Sequence, residues 1–384
     1  MPVRGLLKQA VAAVLLVSTL LVAPANARDT AAAESAVAWP EWERFAERFI
    51  QADGRVIDLT FDGKSTSEGQ SYGLFFALVA NRRAQFDTLL HWTSDNLADG
   101  QLGQRLPGWL WGKRDDGSWG IKDRNAATDA DLWLAYTLLE AGRLWNSPQY
   151  SELGKQLLAL VRKHEVVQAG AAGTLLLPGP IGFELPDGRY RVNPSYLPGF
   201  LFNYLDSADP DGPWAAVWTS YMKLAPRLYA HGVAPDNFIV NARGVVSPDT
   251  QGEPSGSYDA IRVYLWAGMS GQQSADLVRL LQPYGRLTRK LGTPPEKVNP
   301  ASGAATKTDY SPIGFSGALL PFASALNDKE LLAAQLERVQ ADAVRARLGG
   351  ATNYYDQALI LFGKGWQDGV YRFDEQGRLV TRWK

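Results

Sequence analysis

The chain has 384 residues, enough for one large domain or two ordinary ones, and its 39 Lys and Arg nearly balance 40 Asp and Glu. A formal net charge of -1 removes the electrostatic basis for holding a polyanion, so nucleic acid is not an expected partner and a neutral polymer fits better. With no Cys and only 3 His, disulfides and thiolate metal sites are excluded, an ordinary zinc centre is not expected, and stability must come from packing.

The chain opens on a targeting pattern. Arg4 and Lys8 precede an apolar run from Ala10 to Ala23, followed by Ala25-Asn26-Ala27, which reads as a signal peptide over residues 1–27 cleaved after Ala27. The apolar run is shorter than the roughly 20 residues that a bilayer-spanning helix needs, and no later segment qualifies as a span. The mature chain, 28–384, is expected to be periplasmic or secreted, without a membrane span. It reads as one domain because no Pro/Ser-rich linker interrupts it.

Helical periodicity then recurs over 41–50, 68–82, 84–97, 127–145, 148–165, 194–206, 212–229, 255–268, 273–292, 311–326, 328–346 and 351–364. Asp211-Gly212-Pro213 opens the seventh segment, Ser311-Pro312 opens the tenth, and Gly349-Gly350 separates the last two. Leu175 to Val192, around Pro186-Asp187-Gly188, and Val370 to Trp383, around Glu375-Gln376-Gly377, read as short hairpins on loops. About a dozen helices with short connections imply an all-α fold of antiparallel helical hairpins. One solution is a closed ring, in which alternate helices form an inner layer and run in the same direction, so that their N-termini gather at one face.

Three segments place acids at helix starts in polar and aromatic surroundings: Ser65 to Gly73 with Glu68, Ala127 to Asp131 with Asp129, and Ser257 to Arg262 with Asp259. They open the second, fourth and eighth helices, so an alternating ring would bring them to one face. Asn193-Pro194-Ser195-Tyr196, Ser311 to Phe315 and Tyr354-Tyr355-Asp356 lie near the starts of the sixth, tenth and twelfth. The competing reading is capping: Ser65-x-x-Glu68 has capping-box form, and an acid in a first turn favours the helix dipole. Gly69 and Gly73 weaken that reading, because they are poor helix formers and make better sense as room for a substrate.

Paired carboxyls on a cleft wall are what glycoside hydrolysis requires, one to protonate the leaving oxygen and one to activate water or attack the anomeric carbon. No Cys, G-x-S-x-G elbow, H-E-x-x-H or Walker loop offers another chemistry. His91, His164 and His231 have no carboxylate at motif spacing. Most of the 13 Trp, 15 Tyr and 14 Phe belong to a core, and the remainder suit the apolar faces of pyranose rings.

These residues resemble glycoside hydrolase family 8, and within it the branch that accompanies bacterial cellulose synthesis. The similarity covers nearly all of the mature chain. It is carried by Trp39-Pro40-Glu41-Trp42, Gly54 to Asp58, Ser67-Glu68-Gly69-Gln70-Ser71-Tyr72-Gly73, Arg105 to Lys113, Asn193 to Pro198 and Ser257 to Tyr264. The family pattern A-[ST]-D-[AG]-D matches Ala127 to Asp131 and continues through Ala135, Ala141 and Trp145, while Leu134 and Thr137 depart from it.

The resemblance implies an (α/α)6 barrel, inversion at the anomeric carbon and no cofactor. It matches Glu68 to the general acid, Asp259 to the general base and Asp129 to the acid that grips the distorted sugar. Tyr258 and Arg262 match residues flanking the base, Trp111 resembles an aromatic platform, and Tyr196 and Tyr355 are candidates for cleft contacts or for packing. The implied substrate is β-1,4-glucan, cut internally, and the implied partner is the cellulose synthase export machinery. Three alternatives stay open: another β-1,4-linked polysaccharide (xylan, mixed-linkage glucan or chitosan), a non-catalytic polysaccharide-binding protein, and a lyase on a similar barrel.

Overall fold

The structure is a computed structural model that describes residues 37–249, 251–347, 350 and 352–384. The leader and its cleavage site lie outside the described residues. Twelve α-helices lie among them: α1 (Pro40–Phe49), α2 (Ser67–Val79), α3 (Arg83–Leu97), α4 (Thr128–Leu144), α5 (Pro148–His164), α6 (Gly199–Ala208), α7 (Trp214–Leu228), α8 (Ala260–Met269), α9 (Ala275–Leu291), α10 (Ile313–Ala325), α11 (Lys329–Arg347) and α12 (Tyr354–Gln367). The expected segments recur in order with shifted ends, α12 running three residues past its expected end. The largest trims have local causes. Residues 194–196 form a separate 3-10 turn because Pro198 interrupts before α6. Residues 255–259 form a loop held by a distant carboxylate, described below.

The even-numbered helices form the inner ring. They are buried around nearly their whole circumference, as α2, α4 and α8 show, which is why their sequences are apolar with little sidedness. The odd-numbered helices pack outside them, α3 on α2, α5 on α4, α7 on α6, α9 on α8, α11 on α10 and α1 on α12. Their pattern is one-sided: α5 buries Tyr150, Gly154, Leu157, Leu158 and Val161.

Aromatic side chains close the inner ring. Phe75 meets Trp133 at 4.9 Å between α2 and α4, and Tyr136 meets Tyr204 at 4.9 Å between α4 and α6. Phe200 and Trp266 join α6 to α8 at 6.2 Å, and Tyr264 and Phe322 join α8 to α10 at 5.4 Å. Phe362 of α12 returns to Tyr72 of α2 at 4.8 Å. Between α10 and α12 the backbones themselves touch: a Cβ on Gly363 would overlap the Gly317 carbonyl.

Among the described residues, twelve short strands lie between the helices and after the last of them. β1 (Ser65–Thr66), β2 (Leu110–Lys113) and β3 (Trp119–Asp123) form one antiparallel sheet, and β4 (Val166–Gln168) pairs with β5 (Thr174–Leu176). β6 (Arg189–Val192), β7 (Phe238–Asn241) and β8 (Val246–Pro248) form a second three-stranded sheet, and β9 (Lys297–Asn299) pairs with β10 (Ala304–Lys307). β11 (Tyr371–Phe373) pairs with β12 (Leu379–Thr381), as the expected C-terminal hairpin.

The expected hairpin over 175–192 is corrected in extent. Around Pro186-Asp187-Gly188 the local turn forms, with Glu184 bridged to Tyr190 and Leu185 N donating to Arg189 O at 2.7 Å, while the two ends pair elsewhere, Leu175 with Val167 and Val192 with Phe238. The β11–β12 hairpin packs against one end of the ring. Phe373 stacks on Phe200 at 3.8 Å, Tyr136 donates to the Gly377 carbonyl at 2.9 Å, and buried Glu140 accepts from Leu379 N at 2.7 Å.

Replacing Gly363 with Ala must push α12 off α10, and overpacking of this kind costs about 1–3 kcal/mol. Thermal denaturation of Gly363→Ala is expected to show a lowered midpoint; an unchanged midpoint would contradict backbone contact between these helices.

Candidate active site

Arg262, in the first turn of α8, has a side chain only 3% exposed and gathers the N-terminal ends of four inner segments. Its Nη1 donates to Glu68 Oε2, to Asp129 Oδ2 at 3.0 Å and to Tyr72 OH at 3.1 Å. Its Nη2 donates to Asp259 Oδ1 at 2.5 Å and to Ser195 Oγ at 3.3 Å. The guanidinium also lies over the Tyr196 ring, 5.7 Å from its centroid. Glu68, Asp129, Tyr196 and the Asp259–Arg262 pair, far apart in sequence, thus come together at one mouth of the ring.

One cation among three carboxyls leaves negative charge in excess, so the cluster favours keeping a proton. The Glu68 carboxyl takes that part: burial pushes it up, Arg262 pulls it down, the charges of Asp129 and Asp259 push it up again, and the result is about 7. Asp129 is also raised, by burial first, with Arg262 opposing. Accessibility separates the three further. The Asp259 side chain is 37% exposed, against 21% for Glu68 and 6% for Asp129, so Asp259 is the one water reaches most easily.

Local structure leaves two of these three carboxyls free of capping. At α2 the cap is Thr66, whose Oγ1 accepts from Gly69 N at 3.0 Å. Ser65 instead donates to Val56 O and accepts from Arg55, so the Ser65-x-x-Glu68 box does not form and Glu68 turns to Arg262. Asp259 stands at the N-cap of α8 but makes no side-chain capping bond. Asp129 does both: Oδ1 accepts from Ala130 N at 2.8 Å while Oδ2 takes Arg262.

The reading of Gly69 and Gly73 as room for substrate is corrected. A Cβ on Gly69 would press on Tyr354 OH at 3.2 Å, and one on Gly73 on Val56 and Leu89 at 3.1 and 3.3 Å. These glycines let neighbouring parts of the protein approach α2.

Asp236 escaped the sequence reading. Its Oδ1 accepts from Ser257 N at 2.8 Å, Asp259 N at 3.2 Å and Ala260 N at 2.9 Å, and its Oδ2 from Ser255 Oγ at 2.9 Å. A carboxylate far upstream thus does the work of an N-cap for α8 and fixes the backbone of Asp259. Within the sequence, Pro235-Asp236-Asn237 carries only the signal of a turn.

The aromatic candidates divide into two groups. Tyr355 donates to the Tyr258 carbonyl at 2.5 Å, and the Tyr258 ring, 43% exposed, leans edge-on against Phe315 at 5.3 Å with its hydroxyl on Glu296 at 3.1 Å. Trp111 lies on β2 opposite Ser65, next to the start of α2, but apart from the Arg262 cluster in its contacts. It stacks with Trp119 at 5.3 Å and lies under the Arg55 guanidinium at 4.2 Å. Trp119, which the sequence reading passed over, is the more open of the two rings at 49% exposed. Among the described residues no group of three or more His, Asp or Glu side chains is arranged to hold a metal ion.

A double ring of helices with carboxyl groups gathered at one mouth, one of them poised to carry a proton near neutrality, is the arrangement of a glycoside hydrolase. The model of the family described as glycosyl hydrolases family 8 matches residues 21–369, and the chain belongs to that family. It is 45% identical over 350 residues to an endoglucanase of Xanthomonas axonopodis pv. citri (strain 306), covering 90% of each chain. It is 42% identical over 354 residues to an endoglucanase of Escherichia coli (strain K12), covering 91% of this chain and 93% of that one. The crystal structure of an endo-1,4-D-glucanase from Vibrio fischeri ES114 superposes with a TM-score of 0.84 at 38% identity, covering 90% of this chain and 99% of that one.

Removing the Asp236 carboxylate strands three N–H donors, at about 1–3 kcal/mol for each that stays buried. Asp236→Ala is expected to lower both the thermal midpoint and kcat, while Asp236→Asn, which keeps an acceptor oxygen, retains most of each. Equal behaviour of the two variants would remove Asp236 from the support of Asp259.

Proposed function

We propose that the chain cuts β-1,4-glucan internally by an inverting mechanism, with Glu68 as general acid, Asp259 as general base and Asp129 holding the distorted sugar. Membership of glycosyl hydrolase family 8 and relatives named endoglucanases support the activity. The observation that carries the residue roles is that Glu68 and Asp259 sit on the two terminal nitrogens of one guanidinium, with Glu68 raised to about 7.

The chemistry follows from that arrangement. Glu68 gives its proton to the glycosidic oxygen as the bond breaks, and Asp259 takes a proton from the water that attacks the opposite face of the sugar. One carboxyl becomes charged as the other becomes neutral, and both touch the same arginine. The negative charge moves from the Nη2 side to the Nη1 side, so the cluster does not change its net charge during the reaction. A cation held in place beforehand stabilises the new carboxylate without reorganisation. Inversion needs the carboxyls about 6.5–9.5 Å apart in the substrate complex, to leave room for the water. Trp111, Tyr196, Tyr258 and Tyr355 supply aromatic surface along the groove for neighbouring glucosyl rings.

Residues 28–384 form the catalytic domain in this reading, which places it in the periplasm or outside the cell after removal of residues 1–27, working beside the cellulose synthase export machinery. The leader pattern supports export, and among the described residues no helix is long and apolar enough to cross a membrane. The resemblance to the cellulose-synthesis branch supports the partner.

Glu68→Gln and Asp259→Asn are each expected to lower carboxymethylcellulose hydrolysis by about a thousandfold or more with the fold intact. Activity within tenfold of the parent in either variant refutes that role. Proton NMR of the first products should show the α anomer; a β-first product means retention. The Glu68 proton is held in the folded protein at pH values where an unfolded carboxyl has lost it. Activity and this group's contribution to stability are therefore both expected to fall as pH rises through about 7. In Glu68→Gln that part of the stability slope disappears.

A further inference from the structure

Behind Asp129 lie two carboxyl groups that the reaction does not use. Asp131 is in the first turns of α4, and Glu165 follows α5 immediately before β4. Both are completely buried. None of their four oxygens has a hydrogen-bond partner of ordinary geometry among the described residues, and the Thr128 side chain faces Glu165. The Asp131 and Glu165 side chains instead face each other within hydrogen-bonding reach. Two carboxylates cannot make that bond, since neither has a hydrogen to give, and two buried like charges in contact repel strongly. A single proton between them resolves both difficulties, as in other buried carboxyl dyads.

The surroundings favour keeping that proton on the pair. The charged group facing the pair is Asp129, an acid, which makes release of the proton less favourable. Thr128, the other polar neighbour, has its hydroxyl committed to the Leu177 carbonyl at 2.6 Å. Thr128 N also donates to Pro178 O at 3.1 Å, and Glu165 O accepts from Leu177 N at 2.8 Å. The start of α4 is therefore tied to the α5–β4 corner and the 177–178 segment at several points, and the Asp131–Glu165 bond is the tie nearest the interior of α4.

We propose that Asp131 and Glu165 share one proton, and that this buried acid–carboxylate bond fixes the first turn of α4 and so positions Asp129 in the active site. The positioning half rests on the proposed role of Asp129; the shared proton does not. Burial is the main force holding the proton on the pair, and the negative neighbour adds to it, so the pair holds that proton well above the ordinary carboxyl range. Unfolded carboxyls lose their protons near the ordinary value. The pair's contribution to stability is thus full in acid and declines as pH rises toward and through the folded value.

Infrared difference spectroscopy tests the proton directly. In a Glu68→Gln background, which removes the catalytic acid's own signal, comparison with Glu68→Gln/Asp131→Asn at neutral pH is expected to reveal a protonated-carboxyl band lost from the second protein. Absence of that difference band overturns the shared proton. Activity in the otherwise native chain tests the positioning. Asp131→Asn keeps a hydrogen for Glu165 and is expected to hold kcat/KM on carboxymethylcellulose within about threefold, whereas Asp131→Ala should lose about a hundredfold, the scale of a misplacement near 1 Å. Melting curves add a readout that survives if the Ala variant folds poorly: between pH 6 and pH 8 the midpoint of Asp131→Asn should fall less steeply than that of the parent. Equal pH slopes overturn the shared proton, and equal activity of the Ala and Asn variants overturns the positioning role. Full activity in Asp129→Asn with the band still present would instead overturn the role given to Asp129 and leave the proton in place.

Discussion

The active-site mouth depends on one buried cation. Arg262 sits where α2, α4, α8 and the turn before α6 converge, and without it Glu68, Asp129 and Asp259 would form an uncompensated cluster of acids. Burying a guanidinium is unfavourable in itself. Here Tyr72, Tyr355 and the carboxyls hold its pKa above the ordinary arginine value in spite of burial. A planar group with two terminal nitrogens serves two carboxyls at once, which a point charge cannot do.

The rest of the fold keeps that cation and its partners in register. Inner helices running the same way bring their N-termini to one mouth, and at the other end the β11–β12 hairpin packs on Phe200, Tyr136 and Glu140. Each acid has its own backbone support: Thr66 caps the helix of Glu68, Thr128 ties down that of Asp129, and Asp236 holds that of Asp259. The supports are polar, while the ring that carries them is closed by aromatic contacts and, between α10 and α12, by backbone contact. Precise placement of a few side chains on a stiff scaffold is what acid–base catalysis needs.

Much of this could be read from the sequence because the inner helices announce themselves twice, by their apolar bodies and by acids and aromatics at their starts. Counting helices placed Glu68, Asp129 and Asp259 on one parity, and the structure places them on one guanidinium. What stayed hidden depends on partners far apart in the chain. Asp236 looks like a turn residue until α8 is folded against it. Arg262 reads as a neighbour of the base, though its reach to Glu68 and Asp129 makes it the centre. Asp131 lies in a recognisable pattern, yet nothing there names Glu165 as its partner. Strands β6 and β7 were missed as a pair for the same reason, and Gly69 and Gly73 were misread because the atoms that crowd them come from Tyr354, Val56 and Leu89.

The proposed role of Arg262 in joining Glu68 to Asp259 is tested most directly by kcat/KM of Arg262→Lys on carboxymethylcellulose, with circular dichroism confirming the fold. Lysine keeps the positive charge but cannot hold both carboxyls in a fixed plane. The expected result is a folded protein with activity reduced by about a hundredfold or more. Activity equal to that of the parent would mean that charge alone suffices, and would contradict the claim that one guanidinium joins the acid to the base.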